Sequence, residues 1–276
     1  MRDRRRPQDR RHARHRHRYY RRDLPKLRLT VSGAPFAAPI TLPAEVASVL
    51  CTKGHAVLDP DGFALIAAAT IPELDAMRAS WNDLPPDTYL RDGGRYRRRR
   101  HSCFIVRGDA VEQVPHRAHW QPVEYNALHG GLERWFEPID PAVIANPAWP
   151  RMLRAMAALA SSLRRDQPWF AEAHQFRIDT ADGIGRPTPE GAHRDGVDLV
   201  AVALVSRAGI KGGETRVFDA DGPTGSRFTM LEPWTCLLLD DSRMIHESTP
   251  IQPLEAYGHR DTLVLTLRSG GFQGPA

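Results

Sequence analysis

The stretch PEGAHRDGVDLVAVALVS, residues 189–206, sets His193 and Asp195 one residue apart, just before an apolar run suited to a buried strand. Side chains at i and i+2 on extended backbone lie on the same side. An imidazole and a carboxylate so placed can hold one metal ion, and an ordinary polar turn uses the same pair. A third candidate ligand, His246, stands 51 positions beyond Asp195 in DDSRMIHESTPI, directly after the apolar segment 234–239. Two histidines and one carboxylate occupy one face of a metal and leave the opposite positions open. Such vacancies are needed wherever an ion must bind a co-substrate and dioxygen together.

Other chemistries use the same letters. HRD opens the catalytic loop of protein kinases, but HRDGVDLVAV lacks the asparagine that should follow, and the chain has neither DFG nor a glycine-rich ATP loop. His246-Glu247 would begin HExxH, yet residue 250 is proline, which removes the zinc-protease pattern. A zinc hydrolase on the same three ligands stays open, because catalytic zinc also takes two nitrogens and a carboxylate. So do two structural roles, with Asp195 capping a turn and His246 satisfied in the core.

A fourth element raises the signal. Arg260 lies fourteen residues after His246, at the entrance to the segment DTLVLTLR, with Thr262 two positions on. Strand alternation places both on one face, and an arginine fork beside a hydroxyl suits a buried carboxylate. HxD, a distant histidine and Arg-x-Thr together resemble the iron- and 2-oxoglutarate-dependent dioxygenases. The words HQFRI, PEGAHRDG, GGET, IHESTPI and HRDTLVLT are similar to the bacterial L-isoleucine 4-hydroxylase-like group, which hydroxylates free aliphatic L-amino acids; the likeness spans roughly residues 45–270.

The resemblance implies a mainly β fold with flanking helices, a double-stranded β-helix of the jelly-roll, cupin-like type. It implies that His193, Asp195 and His246 bind Fe(II) as the catalytic metal. 2-Oxoglutarate would place its far carboxylate on Arg260, touched by Thr262, and O2 would complete the reaction, releasing succinate and CO2. Softer expectations surround this set. Gln175 in AHQFRID is expected beside the co-substrate. Glu190 is expected to meet a substrate ammonium, Arg177 a substrate carboxylate, and Thr215, after the tight turn at Gly212-Gly213, to face the site. His174 should point away from Gln175 as a structural residue, and Phe176 and Trp234 should be core.

The elements that must position these residues follow from period and punctuation. Residues 149–168 form the strongest helix, with Met152, Leu153, Met156, Leu159, Ala160 and Leu163 at three- and four-residue steps and Arg164-Arg165 where the helix dipole favours cations. Residues 72–86 read as a second helix, opened by Pro72 and stopped by Pro85-Pro86. Residues 93–106 read as a glycine-led turn feeding a strand whose arginines form a solvated face, with a basic lip over an acidic ligand as the alternative. Short strands follow at 170–179, 198–206, 215–220, 227–232, 234–241 and 261–268, a spacing that predicts a sandwich or barrel.

Composition sets the outer bounds. Hydrophobic content of 41% and charged content of 26% in 276 residues fit a globular protein. No apolar stretch approaches the roughly 20 residues of a membrane span, and no leader is evident, so a cytoplasmic location is expected. Cys51, Cys103 and Cys236 lack CxxC spacing and are expected to be reduced thiols. The net charge of +5 belongs to the tail: residues 1–22 hold eleven arginines against Asp3 and Asp9, hence +9, leaving −4 for residues 23–276. The expected organisation is a disordered Arg/His-rich tail over 1–22, a proline-dotted linker over 23–44, and one dioxygenase domain over 45–276. The expected partner is a small molecule, a free L-amino acid, with nucleic acid reachable only through the tail. A non-catalytic cupin-like binding protein and a nucleic-acid-associated oxygenase are the alternatives.

Overall fold

A computed structural model describes residues 36–275. The tail expected over 1–22 and most of the expected linker lie outside the described residues. Of the linker, residues 36–44 are described: Ile40 bridges Val57 in parallel, and the Thr41 N–H donates to the Val57 carbonyl at 2.7 Å.

Twelve strands and five α-helices follow in chain order. They begin with α1 (Val46–Lys53), β1 (His55–Leu58), α2 (Pro60–Ile66) and α3 (Ile71–Asp75), then β2 (Arg97–Arg107), β3 (Ala110–Gln113), α4 (Pro141–Ile144) and α5 (Ala148–Leu163). The rest is β: β4 (Trp169–Asp179), β5 (Leu199–Ala208), β6 (Ile210–Gly212), β7 (Thr215–Asp219), β8 (Gly225–Phe228), β9 (Cys236–Asp240), β10 (Met244–Ser248), β11 (Ile251–Pro253) and β12 (His259–Arg268). A seven-stranded sheet runs β1-β9-β5-β12-β4-β2-β3, antiparallel throughout. Facing it are the three strands β10-β7-β8 and the pair β11-β6. This is the double-stranded β-helix of a cupin-like jelly roll. Among the described residues, no helix is long and apolar enough to cross a membrane.

Alternation along the large sheet sorts its residues between two layers. Ala171 and Ala173 of β4, and Leu263, Leu265 and Leu267 of β12, turn outward into a core shared with Met152, Leu153, Met156 and Ala160 of α5. Burying each large aliphatic side chain contributes about 1.5–3 kcal/mol. Helix α5 ends at Arg164, whose guanidinium pairs with Asp198 at 2.8 Å and Asp240 at 2.9 Å, tying the helix to the β5 and β9 ends. A second core, with Val57, Val200, Leu204, Val217, Phe228 and Leu239, fills one end of the space between the sheets. The remainder of that space is the cavity.

The helix expected over 72–86 is divided. Thr70 and Glu73 close a reciprocal capping box on α3, which stops at Asp75, and the chain continues as a 3-10 turn over Arg78–Asp83. Leu74, Met77, Trp81 and Leu84 are all buried, so the helical spacing is present. Its winding yields to tertiary anchors. The Trp81 indole N–H lies 3.2 Å from the Phe176 carbonyl and 3.3 Å from that of Thr262, and Asp75 accepts the Trp234 indole N–H at 2.8 Å.

Candidate active site

His193 and Asp195 sit in the loop between β4 and β5, and His246 is the middle residue of β10. The two histidines meet through an isolated antiparallel bridge, with reciprocal N–H to carbonyl bonds of 3.0 and 2.9 Å. Just after β9, the buried Asp241 fixes the turn. Its carboxylate accepts the backbone N–H groups of Asp195, Gly196 and Val197 at 3.0, 2.7 and 3.0 Å. Gly196 is left-handed at φ +75, and a Cβ there would lie 2.5 Å from the Tyr125 ring.

The three side chains converge. His193 Nε2 lies 3.7 Å from Asp195 Oδ1, His246 Nε2 lies 3.9 Å from Asp195 Oδ2, and the imidazole centroids are 4.6 Å apart. These separations exceed hydrogen-bond lengths yet keep all three ligand atoms within 4.8 Å of one another, which suits a shared ion. His193 Nδ1 lies 3.0 Å from the Gly191 carbonyl. A carbonyl only accepts, so Nδ1 carries the proton and Nε2 is left for a metal. His246 Nδ1 is buried without a partner. In the metal-free site burial opposes charge on His193, but the negative charge of Asp195, with Glu190 behind, holds its imidazolium up to about 10. Burial and the His193 charge push His246 down to about 4. Asp195 is held well below the usual carboxylate range against its own burial, by the positive charge of His193 beside it. Once a metal displaces the His193 Nε2 proton, the set offers two nitrogens and an anionic oxygen, a fit for Fe(II).

Gln121 adds a contact that nothing in the sequence signals. Its Oε1 accepts Arg134 Nη2 at 2.8 Å and Asn126 Nδ2 at 3.2 Å, while its Nε2 donates to Asp195 Oδ1 at 3.0 Å. Arginine has no acceptor, so the amide orientation is fixed. Its N–H occupies one carboxylate oxygen of Asp195 and leaves the other oriented toward His246.

A cavity of about 130 Å³ opens beside the triad, and Arg260, Thr262 and Glu190 all line it. Arg260 is 4% exposed, and its Nε and Nη2 are buried with no partner among the described residues. Burial and the neighbouring Arg207 charge lower it to about 10. Glu190 places Oε1 3.5 Å from His193 Nε2.

Three expected residues lie elsewhere. Gln175 is fully buried on the helical side of β4, where its Nε2 donates to Ser80 Oγ at 2.8 Å, away from the cavity. Arg177 shares that face and grips Asp261 with bonds of 2.8 and 2.7 Å. Thr215 is buried without lining the cavity, and its hydroxyl has no partner. The parity expected for β4 is reversed: Glu172, His174, Phe176 and Ile178 face the cavity. His174 and Phe176 are thus wall residues. Trp234 is core as expected, stacked on Phe63.

β2 also departs from expectation. Arg97 and Arg99 point into the cavity, while Arg98 and Arg100 pair outside with Asp179 and Glu137. Two-residue alternation in RYRRRRHSCF was the available signal. Next to Arg99 lies a buried cluster of His101, His119, Glu172 and His174. Glu172 Oε2 is 2.8 Å from His101 Nε2 and 2.7 Å from His119 Nδ1, and Arg99 Nη2 donates to His174 Nδ1 at 2.7 Å. These are hydrogen-bond lengths, in contrast to the wider spacing at the triad. Burial would raise Glu172, but the two imidazoles hold it well below the usual carboxylate range.

Comparison with known proteins gives this geometry a family. The profile of a family described as 2OG-Fe dioxygenase matches residues 78–266. A bsmA homolog from Methylobium petroleophilum PM1 is similar at 53% identity, covering 87% of this chain and 98% of that one, with a TM-score of 0.82. IDO from Bacillus thuringiensis shares the fold at 17% identity, covering 88% and 99% of the two chains, with a TM-score of 0.67. The Fe(II)/α-ketoglutarate-dependent dioxygenase TqaL does so at 19% identity, covering 84% and 90%, with a TM-score of 0.64. No curated protein matches. The profile spans over half of the sequence and includes all three converging ligands and Arg260, and the chain belongs to the 2OG-Fe dioxygenase family, whose reaction uses Fe(II), 2-oxoglutarate and O2.

Proposed function

We propose that the protein hydroxylates an unactivated C–H of a free aliphatic L-amino acid, with His193, Asp195 and His246 as the Fe(II) ligands. When bound, the iron with 2-oxoglutarate and dioxygen would supply the oxidising chemistry, in which one oxygen atom would enter the substrate C–H, the other would enter succinate, and CO2 would leave. The chain's own groups position and exclude. Arg260 takes the distal carboxylate of 2-oxoglutarate, with the Thr262 hydroxyl on the same face as a further donor. Gln121 and Asp241 hold Asp195 from two sides. Phe176, Val202 and Val264 present apolar wall to the aliphatic part of the substrate.

The observation that carries the reading is the pairing of the triad with Arg260, whose buried Nε and Nη2 lack an acceptor among the described residues and lie in the same cavity. The small cavity and the words resembling the L-isoleucine 4-hydroxylase-like group support the amino-acid substrate. The test is succinate production from 2-oxoglutarate, followed by mass spectrometry across the twenty L-amino acids under air and under anaerobic conditions. Oxygen-dependent, amino-acid-stimulated succinate with a matching mass gain of one oxygen is expected, and Asp195→Ala should abolish it. Stimulation by none of the twenty would refute the substrate class, and full turnover in Asp195→Ala would refute the ligand assignment.

A further inference from the structure

Three guanidiniums line the cavity in addition to Arg260. Arg97 and Arg99 come from β2, and Arg134 comes from the segment that also carries Gln121. Their exposures are 5%, 3% and 2%. Among the described residues, Asp87 is the one carboxylate within 4 Å of any of them, at 2.7 Å from Arg97 and 3.9 Å from Arg99. Three buried positive charges thus face one negative charge in direct contact. Leaving a desolvated ion uncompensated costs several kcal/mol, and packing alone gives no reason to gather three. Burial, followed by the Arg97 charge, lowers Arg134 to about 10; burial also lowers Arg99.

Unused donors remain in this cluster. Among the described residues, Arg97 Nη2, Arg99 Nε and Arg134 Nε are buried with no hydrogen-bond partner. The Arg99 guanidinium is held between Phe136 and Phe176, 3.9 and 4.3 Å from the ring centroids. Aromatic faces occupy its flat sides, so its remaining hydrogen-bonding capacity lies at its edge. Opposite charge is available nearby. Glu172 uses only Oε2 toward the imidazoles, and Glu190 Oε2 is buried and unpartnered.

The register separates this cluster from the proposed co-substrate anchor. Arg97 and Arg260 both pair with Ile178, but on opposite sides of β4, and Arg99 and Thr262 flank Phe176 in the same way. One distal carboxylate on Arg260 leaves the guanidiniums of β2 and Arg134 unserved.

We propose that Arg97, Arg99 and Arg134 form a second anion subsite that binds the carboxylate of the substrate to be oxidised, with Glu172 and Glu190 receiving its ammonium. The amino-acid part of this assignment rests on the function proposed above; the anion subsite itself does not. A planar carboxylate matches the arginine forks, and carboxylates close by select a molecule that also carries positive charge, which is the head of an α-amino acid.

The test compares acids with amides. L-Leucine, L-isoleucine and L-methionine, and their α-amides, are assayed for stimulated succinate formation with the parent, Arg134→Gln and Arg134→Lys. The expected result is that the parent prefers acid over amide at least tenfold in KM. Arg134→Gln should raise the acid KM at least tenfold with the 2-oxoglutarate KM within twofold, and Arg134→Lys should recover part of the loss. Calorimetric binding of propionate to the Mn(II)-loaded, 2-oxoglutarate-saturated protein provides a readout independent of turnover. Equal use of acids and amides by the parent, or an Arg134→Gln effect confined to 2-oxoglutarate, overturns the subsite. If no amino acid is turned over yet propionate binds in an Arg134-dependent manner, the amino-acid proposal fails and the anion subsite stands. If propionate binding is absent or survives Arg134→Gln unchanged, the subsite fails whatever the substrate proves to be.

Discussion

Lowering the pH from about 7.5 to about 5.5 should destabilise this fold through histidines buried in the wall of the cavity. Burial, together with the neighbouring charges of Arg99 and Arg134, holds His174 well below its ordinary value. Burial likewise brings His119 down to about 3, although the adjacent Glu172 pulls the other way. Both rings are neutral in the folded protein at these pH values, whereas in the unfolded chain they titrate near 6.5. Their contribution is therefore fully present above 6.5 and is lost as the pH falls toward the folded values. Over this interval each histidine removes about 1.4 kcal/mol, and the pair about 3 kcal/mol. Urea unfolding at the two pH values reads the total, to which other groups also contribute. His174→Gln isolates one share, because groups common to both proteins cancel. The variant should lose about 1.4 kcal/mol less than the parent, near 0.5 M in urea midpoint for an m-value of about 3 kcal/mol/M. An equal loss in parent and variant would refute the claim that His174 is held neutral by its surroundings.

Two further outcomes follow from the same contacts. Gln121→Leu deprives Asp195 of its N–H donor and Arg134 of its acceptor, and outer contacts of this kind typically carry 10–100-fold in metal affinity. Mn(II) titration followed by electron paramagnetic resonance should show at least tenfold weaker binding, and an unchanged affinity would exclude Gln121 as a positioning residue. Leu153→Ala removes a fully buried side chain from the interface of α5 with the large sheet and should cost about 2–5 kcal/mol in urea unfolding. A cost below about 1 kcal/mol would show that α5 does not anchor the sheet as described.

The ends of β2, β4, β5 and β12, and the start of α5, fall close to where pattern places them, because each carries a long run with one period; α5 stops at Leu163, short of the expected 168, where Arg164 leaves the helix to pair with Asp198 and Asp240. Short strands such as β1, β6, β10 and β11 have too few residues to show a period, and they exist through their partners. The division of α3 from the 3-10 turn has a similar cause: Trp81 finds its acceptors on β4 and β12, nearly a hundred residues or more downstream.

At the site, local order and spatial order contribute differently. HxD, the later histidine and Arg-x-Thr stand in the sequence because one strand entrance, one turn and one strand each carry their residues locally. Which of two adjacent residues faces inward is a matter of parity. Parity depends on the sheet to which the strand is joined, which is why Gln175 and Arg177 lie outside the cavity while His174 and Phe176 lie within it. Glu172, His119, Gln121 and Arg134 come from segments distant in the chain, and only the closure of two sheets gives them common neighbours. The sequence by itself determined the kind of chemistry, since the donor types and their spacing are written in it. Tertiary structure alone decided the charge that surrounds that chemistry, because burial and through-space neighbours, unlike residue type, do not exist until the chain has folded.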